Sequence, residues 1–379
     1  AGRGGHDRAG GSEGRLSRHG PASARLSAAR AREIADRFSA AQVAVVGDLM
    51  IDRFIWGRVS RISPEAPVPI VREERRSASL GGAGNVARNV QALGGRVSLA
   101  GLVGDDADGR DLSRLCSEAG LAADGIVAVP GRPTTVKTRI VAHHQHVVRL
   151  DREEDGSAPE AAGSALRARA LEAVAAAQVL VVSDYDKGAI GPDLLGAVLA
   201  EASRRGLPVV VDPKTRLMDH YRPATIVTPN ARETAEAWGR PVRTDADLEE
   251  AGRALLRRLS SPWLLVTRGE RGMLLLPARG ETIEVPARAR EVFDVSGAGD
   301  TVVATLALAL ASGAEMVEAV ILANHAAGVV VGKLGTAALD REELLRAIET
   351  DGPANRPTGA ARSPASGPPT GTGTARNRP

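Results

Sequence analysis

The chain has 379 residues, of which 43% are hydrophobic and 25% charged, a length that suffices for one large α/β domain or two smaller ones. Its uncharged apolar runs fall short of the ~18 residues that a membrane span needs, so we expect no membrane association. The net charge of +3 is concentrated in arginine-rich ends and only 2% of the residues are aromatic, so nucleic acid is not an expected partner.

The two ends of the chain have the composition of disordered linkers. Residues 1–30 are rich in Gly, Ala, Arg and Ser, and residues 352–379 in Pro, Gly, Thr, Ala and Arg, so neither can bury enough apolar surface to offset its ordering entropy. One folded domain is predicted between them, at residues 31–351. The single cysteine, Cys116, is expected to be a small core residue of a helix. One cysteine permits no internal disulfide framework, which fits a reducing, cytoplasmic location.

Between the ends, short apolar runs alternate with helical patterns. Strands are predicted at 43–46, 97–100, 179–182, 209–211, 225–227 and 264–266. Helices are predicted at 85–93, 108–119, 161–177, 191–205, 231–238 and 246–259. This alternation predicts an α/β fold, with a central, mostly parallel sheet flanked by helices on both faces. In such sheets ligands bind at the carboxyl ends of the strands.

Two segments, at about 53–78 and 132–150, break the alternation. The first contains Trp56 and three prolines without a helical period, and the second consists of two extended stretches around residues 143–146, His-His-Gln-His. We predict a small β-sheet lid over the functional site, with a surface hairpin of no function as the alternative. Strand alternation would put His143 and His144 on opposite faces, so a histidine metal site is not expected there.

Polar residues follow the predicted strands and open the first long helix. Asp48 and Asp52 come after the first strand, so they are expected at the carboxyl edge of the sheet, where they could accept hydrogen bonds from sugar hydroxyls. Gly81 and Gly82 precede Asn85. The two glycines allow a ligand to approach the backbone closely, and the Asn85 side chain can both donate and accept hydrogen bonds. Each motif alone would also fit a helix cap or a turn.

Further along, two acids and two lysines follow neighbouring strands. Asp184 and Asp212 are candidates for metal or hydroxyl contacts. Lys187 and Lys214 are candidates for phosphate contacts, although each alone could simply be solvated.

Pro-Asn-x-x-Glu follows the strand at 225–227. It places Asn230 and Glu233 one helical turn apart, where they could hold the hydration shell of Mg²⁺ or form a capping box. Thr267, Gly269 and Gly272 belong to a turn between two apolar strands, which could flank a nucleotide or merely reverse the chain.

Residues 294–301, Asp-Val-Ser-Gly-Ala-Gly-Asp-Thr, are the most informative stretch. They lead into the apolar run 302–310, so a glycine-rich turn opens a helix and directs its amides and dipole at one point, as phosphate binding requires. Asp300 would repel that anion unless it takes a proton from an attacking nucleophile. The pattern predicts phosphoryl transfer to a hydroxyl, with Asp300 as the base and the turn as the anion site. A plain helix cap is the alternative.

Five motifs together resemble the ribokinase-type (PfkB) carbohydrate kinase family over residues 42–349. In chain order they are Gly-Asp, Gly-Gly-x-x-Asn, Pro-Asn-x-x-Glu, Thr-x-Gly-x-x-Gly and Asp-x-x-Gly-Ala-Gly-Asp. The resemblance implies a ribokinase-like fold, ATP and Mg²⁺ as cofactors, a sugar phosphate as the other small-molecule partner, and a homodimer formed through the lid.

Residue by residue, the motifs and their surroundings yield a full set of expected contacts. The catalytic set is Asp300, Gly297, Ala298 and Gly299. The substrate contacts are Asp48, Asp52, Arg61, Gly81, Gly82, Asn85, Lys137, Arg139 and Asp184. The cofactor contacts are Lys187, Lys214, Asn230, Glu233, Thr267, Gly269, Gly272 and Asn324. The metal contacts are Glu233 and Asp212.

Residues 60–69, Ser-Arg-Ile-Ser-Pro-Glu-Ala-Pro-Val-Pro, carry a narrower resemblance, to the heptose 7-phosphate kinases of that family. It implies ATP-dependent phosphorylation of the anomeric hydroxyl of D-glycero-D-manno-heptose 7-phosphate to the 1,7-bisphosphate, a precursor of nucleotide-activated heptose. Arg61, Lys137, Arg139 and Arg149 are available for the phosphate of the substrate. Nothing after Lys333 resembles a nucleotidyltransferase His-x-x-His motif, so a kinase alone is expected. Another sugar or nucleoside kinase, or a non-catalytic sugar-phosphate-binding protein, stays open.

Overall fold

The computed structural model describes residues 26–142, 145–154, 156–288, 292–333 and 335–350. The strands in these ranges are β1 Gln42–Gly47, β2 Leu49–Ile62, β3 Pro69–Gly82, β4 Arg96–Gly104, β5 Ile126–Val129, β6 Thr135–Ala142, β7 Gln145–Arg152, β8 Val179–Ser183, β9 Val209–Asp212, β10 Ile226–Val227, β11 Trp263–Thr267, β12 Met273–Pro277 and β13 Ile283–Val285. The helices are α1 Ala28–Asp36, α2 Ala83–Ala92, α3 Ala107–Glu118, α4 Glu160–Ala176, α5 Pro192–Arg204, α6 Ala231–Trp238, α7 Asp245–Leu259, α8 Ala298–Ala311, α9 Met316–Val330 and α10 Arg341–Thr350.

The larger sheet has nine strands in the order β13-β12-β11-β10-β9-β8-β1-β4-β5. Its strands pair in parallel from β11 through to β5, and β12 and β13 add two antiparallel pairings at one edge. Each predicted strand and helix overlaps an observed one, which confirms the α/β class. The sequence reasoning did not assign α1, α9, α10, β5 or β13.

Apolar side chains of the sheet fill a core on each face. In β1, Val43 and Val45 point into one core, whereas Ala44 and Val46 point into the other, as strand alternation requires. Helix α8 lies within the first core against α2, α9 and the sheet. Because it is enclosed, α8 is apolar on nearly all sides, and its amino end opens at the carboxyl edge of the strands.

The second sheet has four strands in the order β3-β2-β6-β7 and forms the predicted lid. It is larger than the sequence predicts, since β2 begins at Leu49 and β3 runs to Gly82. Asp52, which was expected beside Asp48 at the carboxyl edge of the main sheet, is therefore part of the second sheet. Asp52 lies on lid strand β2, because the chain turns directly after Asp48.

The first described helix begins inside the segment predicted to be disordered. The side chain of Ser27 caps α1, which starts at Ala28, and Arg30 binds Glu318 of α9. The predictions for residues 1–25 and 352–379, and for His143 and His144, lie outside the described residues. None of the helices in the described part of the chain has the length and apolar character that crossing a bilayer requires.

Candidate active site

The amino end of α8 has the backbone that an anion site needs. Gly297 has φ of +79°, and a Cβ there would lie 2.7 Å from Asn85 Nδ2, so a side chain is excluded on both counts. A Cβ on Gly299 would meet nothing within 4 Å. The first glycine thus allows the turn, and the second leaves open space in front of the helix, where its free amides and dipole attract a negative charge.

Asp300 lies in the first turn of α8 and is only 3% exposed. Its Oδ2 accepts a hydrogen bond from Asn85 Nδ2 at 2.7 Å, and its Oδ1 accepts one from the Tyr185 hydroxyl at 2.6 Å. Burial raises the pKa of Asp300 to about 6, although both donors pull it down. The carboxylate is therefore mostly ionised at neutral pH, and its pKa lies close enough to neutral pH for it to accept a proton from a hydroxyl.

Two asparagines of α2 fix the hydrogen-bond donor that faces Asp300. Asn89 Nδ2 donates to the carbonyl and to Oδ1 of Asn85 at 2.9 and 3.3 Å. Thr301 Oγ1 of α8 donates in turn to Asn89 Oδ1 at 3.2 Å. All of these groups are buried. Asn85 thus presents its amide nitrogen to Asp300 because its oxygen is occupied, and α2 and α8 are held at a fixed spacing.

Two residues near Asp300 were missed by the sequence reasoning. Tyr185 was not among the candidate residues, and its hydroxyl contact with Asp300 indicates a role. Arg88, one turn after Asn85 on α2, is partly buried. Burial lowers the pKa of Arg88, although the negative charges of Asp300 and Asp52 raise it. The spacing in the sequence was the available signal for Arg88, because a residue three positions after Asn85 lies on the same face of a helix.

Asp48 is buried and supports the loop that carries Tyr185. Its carboxylate accepts the backbone N–H groups of Tyr185, Lys187 and Ala189 at 2.8, 3.1 and 2.9 Å. Burial raises the pKa of Asp48, and these three donors oppose the shift. The structure thus gives Asp48 a positioning task, while its predicted contact with sugar stays a prediction.

Asp52, on the lid, faces the site from the opposite side. It pairs with Arg139 of β6, whose guanidinium also lies 5.3 Å from the centre of the Phe54 ring. A Cβ at Gly81 would lie 2.6 Å from Asp52 Oδ2, so this glycine makes room for the carboxylate. Gly82 is the N-cap of α2, with positive φ. Asp52, Gly81, Gly82 and Asn85 are therefore brought together as predicted contacts with a sugar.

The basic residues predicted to bind the phosphate of the substrate divide into two groups. Lys137 lies on the inner side of the lid against Asp151 and Glu153. Arg61 is exposed near the end of β2, and Arg149 is largely exposed and pairs with Asp151. The predicted nucleotide contact Lys187 pairs with Glu153 beside Lys137, and its contact with nucleotide stays a prediction.

A second cluster lies at the ends of β9, β10 and β11. Asn230 and Glu233 form a capping box on α6, with the Asn230 side chain accepting from Glu233 N at 2.8 Å and Glu233 Oε2 accepting from Asn230 N at 3.0 Å. Lys214 pairs with Glu233, and its ammonium lies 5.4 Å from the centre of the Tyr185 ring. Asn230 is bridged to Thr267 of β11. The capping-box interpretation is therefore confirmed, whereas a role for Asn230 and Glu233 in holding Mg²⁺ stays a prediction.

The remaining predicted residues lie around that cluster. Gly269 and Gly272 form the turn between β11 and β12. Asp184 accepts from the Tyr221 hydroxyl at 2.7 Å, and burial raises its pKa to about 6. Asn324 is buried in α9 and donates to the carbonyl of Pro286 at 2.7 Å, so it supports the loop after β13 and its contact with nucleotide stays a prediction.

The cluster brings two carboxyl groups and one ammonium group close together. Burial raises the pKa of Asp212 well above its usual range, while the ammonium of Lys214 opposes the shift. Lys214 thus supplies one positive charge beside the two predicted metal contacts, Glu233 and Asp212. The described residues contain no group of three or more His, Cys, Asp or Glu side chains that could enclose a metal. A hydrated Mg²⁺ needs only one or two carboxylates, so the residues present fit that ion.

A parallel sheet, a lid and a buried acid at a glycine-lined helix end are the arrangement of a small-molecule kinase. The model of the pfkB family carbohydrate kinases matches residues 40–343. The chain belongs to this family, which confirms the prediction of an ATP-dependent carbohydrate kinase.

Similar proteins support the same assignment. The bifunctional protein HldE of Gluconacetobacter diazotrophicus is 48% identical over 308 residues, which are 81% of this chain and 64% of that protein. The bifunctional protein HldE of Paramagnetospirillum magneticum is 47% identical over 319 residues, 84% of this chain and 65% of that protein. The chain therefore spans less than two thirds of the length of these relatives.

Solved structures confirm the ribokinase-like fold. Arabidopsis thaliana ribokinase complexed with ribose and ATP has a TM-score of 0.65 and 21% identity, covering 82% of this chain and 98% of that chain. Phosphofructokinase-2 from Escherichia coli, in complex with substrates and products, has a TM-score of 0.66 and 19% identity with the same coverage. At these identities the likeness concerns the fold.

Proposed function

We propose that this protein transfers the γ-phosphate of ATP to the anomeric hydroxyl of D-glycero-D-manno-heptose 7-phosphate, giving the 1,7-bisphosphate. The position of Asp300 carries the proposal, because a buried, hydrogen-bonded carboxylate beside an open anion site has the placement of a base. The choice of heptose rests on residues 60–69 of the lid hairpin and on the identity of nearly half to HldE proteins.

In the proposed reaction, Asp300 takes the proton of the anomeric hydroxyl as its oxygen attacks the γ-phosphorus. The bond from that phosphorus to the β,γ-bridging oxygen breaks, and ADP leaves with the electron pair. The amides at Gly297, Ala298 and Gly299 and the dipole of α8 stabilise the charge on the transferred group. Asn85 and Tyr185 orient the carboxylate throughout.

Asn230, Glu233 and Asp212 would hold a hydrated Mg²⁺ at the phosphates of the nucleotide. When bound, that ion neutralises phosphate charge and orients the leaving group. Lys214 is placed to bind phosphate oxygens, since it lies between Glu233 and the Tyr185 ring. The lid covers the acceptor and excludes water that would otherwise hydrolyse ATP.

The outer face of the lid supports the proposed homodimer. The half-buried Ile55 and Ile140 pair in register, and Ile140 pairs with Val148 on β7. Val148 and Leu150, two residues apart on that same face, are 51% and 66% exposed. An exposed apolar sheet face of this kind is suited to a second copy. Light scattering should show a dimer for the wild type and a monomer for Leu150→Glu.

A substrate panel tests the proposed activity. ADP release is measured by a coupled assay with heptose 7-phosphate, fructose 6-phosphate and ribose as acceptors. We expect the highest kcat/KM with heptose 7-phosphate and loss of turnover in Asp300→Asn. A higher kcat/KM with ribose or fructose 6-phosphate would replace the proposed acceptor. The absence of ADP release with every acceptor tested would favour a binding protein without catalysis.

A further inference from the structure

Two lysines meet on one carboxylate beneath the lid. Lys187 Nζ lies 2.8 Å from Glu153 Oε1, and Lys137 Nζ lies 3.3 Å from Glu153 Oε2. The two lysine side chains are only 17% and 14% exposed. Because both ammonium groups contact the same carboxylate, they lie close enough together to bind one anion between them. We refer to Lys137 and Lys187 as the lysine pair.

The lysine pair lies beside the predicted sugar site. Lys137 is the register partner of Asp52 in the parallel pairing of β6 with β2. Arg139, two residues further along β6, projects from the same face and binds Asp52. Lys187 comes two residues after Tyr185, whose hydroxyl binds the proposed base. One lysine is thus contributed by lid strand β6 and the other by the loop that follows β8 of the main sheet.

The spacing of the pair is built into the fold. Arg132 Nη2 donates to the carbonyl oxygens of Lys187, Glu154 and Gly156 at 2.8, 3.2 and 3.3 Å. One guanidinium therefore ties the loop of Lys187 to the segment that carries Glu153. The backbone of Lys187 is also held by the Asp48 carboxylate. These anchors keep the lysine pair together before any ligand binds, which reduces the entropy lost on binding.

Glu153 is an incomplete partner for two lysines. Burial disfavours its ionisation, but the nearby ammonium groups outweigh that effect and hold the pKa of Glu153 below its usual range. Its single negative charge is shared, and Lys137 also lies 3.4 Å from Asp151, a carboxylate that pairs with Arg149 as well. A phosphate monoester carries a charge of about −1.5 to −2 at neutral pH and offers three acceptor oxygens. It would satisfy both lysines better than Glu153 does.

We propose that the lysine pair binds the phosphate group that the acceptor sugar already carries, and that Glu153 is the internal counter-ion which this phosphate displaces. The proposal rests on the proposed function for the presence of a phosphorylated acceptor. It makes Lys137, Lys187 and Glu153 the residues that select for that phosphate. An acceptor without a phosphate leaves Glu153 in place and gains no contact with the pair.

Steady-state kinetics with matched variants test this assignment. Lys137→Met and Lys187→Met keep an unbranched side chain of similar size and remove the charge. Each should raise the KM for the phosphorylated acceptor roughly 10-fold to 100-fold while the KM for ATP stays unchanged. Glu153→Gln should lower the KM for that acceptor, because the competing charge is gone. Glu201→Gln, a surface carboxylate paired with Arg204, is the matched control and should change neither KM.

Two kinetic outcomes would overturn the assignment. One is that the lysine variants raise the KM for ATP and leave the KM for the acceptor unchanged. The other is that Glu153→Gln raises the KM for the acceptor as much as the lysine variants do, since Glu153 would then be a contact and not a competitor.

A binding measurement separates this assignment from the identity of the sugar. With the nucleotide site filled by a non-hydrolysable ATP analogue, inorganic phosphate should raise the melting temperature of the wild type. The double variant Lys137→Met/Lys187→Met should lose that shift but keep the stabilisation by the analogue, which shows that it is folded. An equal phosphate shift in both proteins would overturn the lysine assignment. Rejection of heptose 7-phosphate in the substrate panel would overturn only the proposed function.

Discussion

The hydroxyl of Tyr185 should control the pH at which Asp300 works as a base. Tyr185→Phe removes a donor 2.6 Å from Asp300 Oδ1 and leaves the Asn85 contact in place. A hydrogen bond to a charged group contributes about 1.5–3 kcal/mol, and one pKa unit corresponds to about 1.4 kcal/mol. Because the hydroxyl stabilises the ionised form, its loss should raise the pKa of Asp300 by about 1–2 units.

The acid limb of the pH profile reports this shift. In the wild type, kcat/KM for the acceptor should fall as the pH drops through about 6, the pKa of the buried carboxyl. In Tyr185→Phe the limb should move to about 7–8, so kcat/KM at pH 7 falls roughly 2-fold to 10-fold and recovers at about pH 9. Coupled ADP release between pH 5.5 and 9.5 measures both profiles.

The other tyrosine of the chain supplies the control. The Tyr221 hydroxyl donates to Asp184 at 2.7 Å, and burial raises the pKa of that carboxyl to about 6 as well. Tyr221→Phe should therefore shift Asp184 and leave the acid limb where it is in the wild type. An equal loss at every pH in Tyr185→Phe would refute the reasoning. A limb that moves in Tyr221→Phe instead would identify Asp184 as the titrating group.

Three further outcomes follow from the same contacts. Asp300→Asn should lower kcat roughly 100-fold to 10,000-fold and still bind ATP in calorimetry, and turnover near that of the wild type would exclude Asp300 as the base. Gly299→Ala should raise the melting temperature, because alanine stabilises a helix by about 0.4–1 kcal/mol over glycine. The same variant should release ADP more slowly, because the added Cβ would enter the open space of the proposed anion site. A destabilised but active Gly299→Ala would contradict that geometry. Burial raises the pKa of the Cys116 thiol to about 11, so native protein at pH 8 should resist a thiol reagent that labels the unfolded chain.

Local patterns in the sequence were sufficient to predict most of the fold and the glycine-rich turn that opens α8. Strand and helix periodicity depends on residues a few positions apart, so the alternation from β1 to α7 could be predicted. The turn at residues 294–301 is equally local, since its glycines and Asp300 belong to one helix end. Helices α9 and α10 were not assigned, and α1 falls partly in a segment whose composition predicts disorder.

Contacts between distant segments were decided by the tertiary structure alone. Tyr185 reaches Asp300 across 115 residues because the carboxyl ends of β8 and the amino end of α8 meet at one edge of the sheet. Asp48 and Asp52 look alike in the sequence, yet one is enclosed by a loop and the other faces the site from the lid. The grouping of Lys187 with Lys137 depends on strand register and loop anchoring.

The sequence by itself thus determined the class of protein and the candidate base, whereas the tertiary structure decided which side chains contact Asp300 and which lie around the proposed acceptor site. The physical reason is that backbone periodicity and turn chemistry act over a few residues, while hydrogen bonds and ion pairs depend on which segments the packed sheet brings within reach.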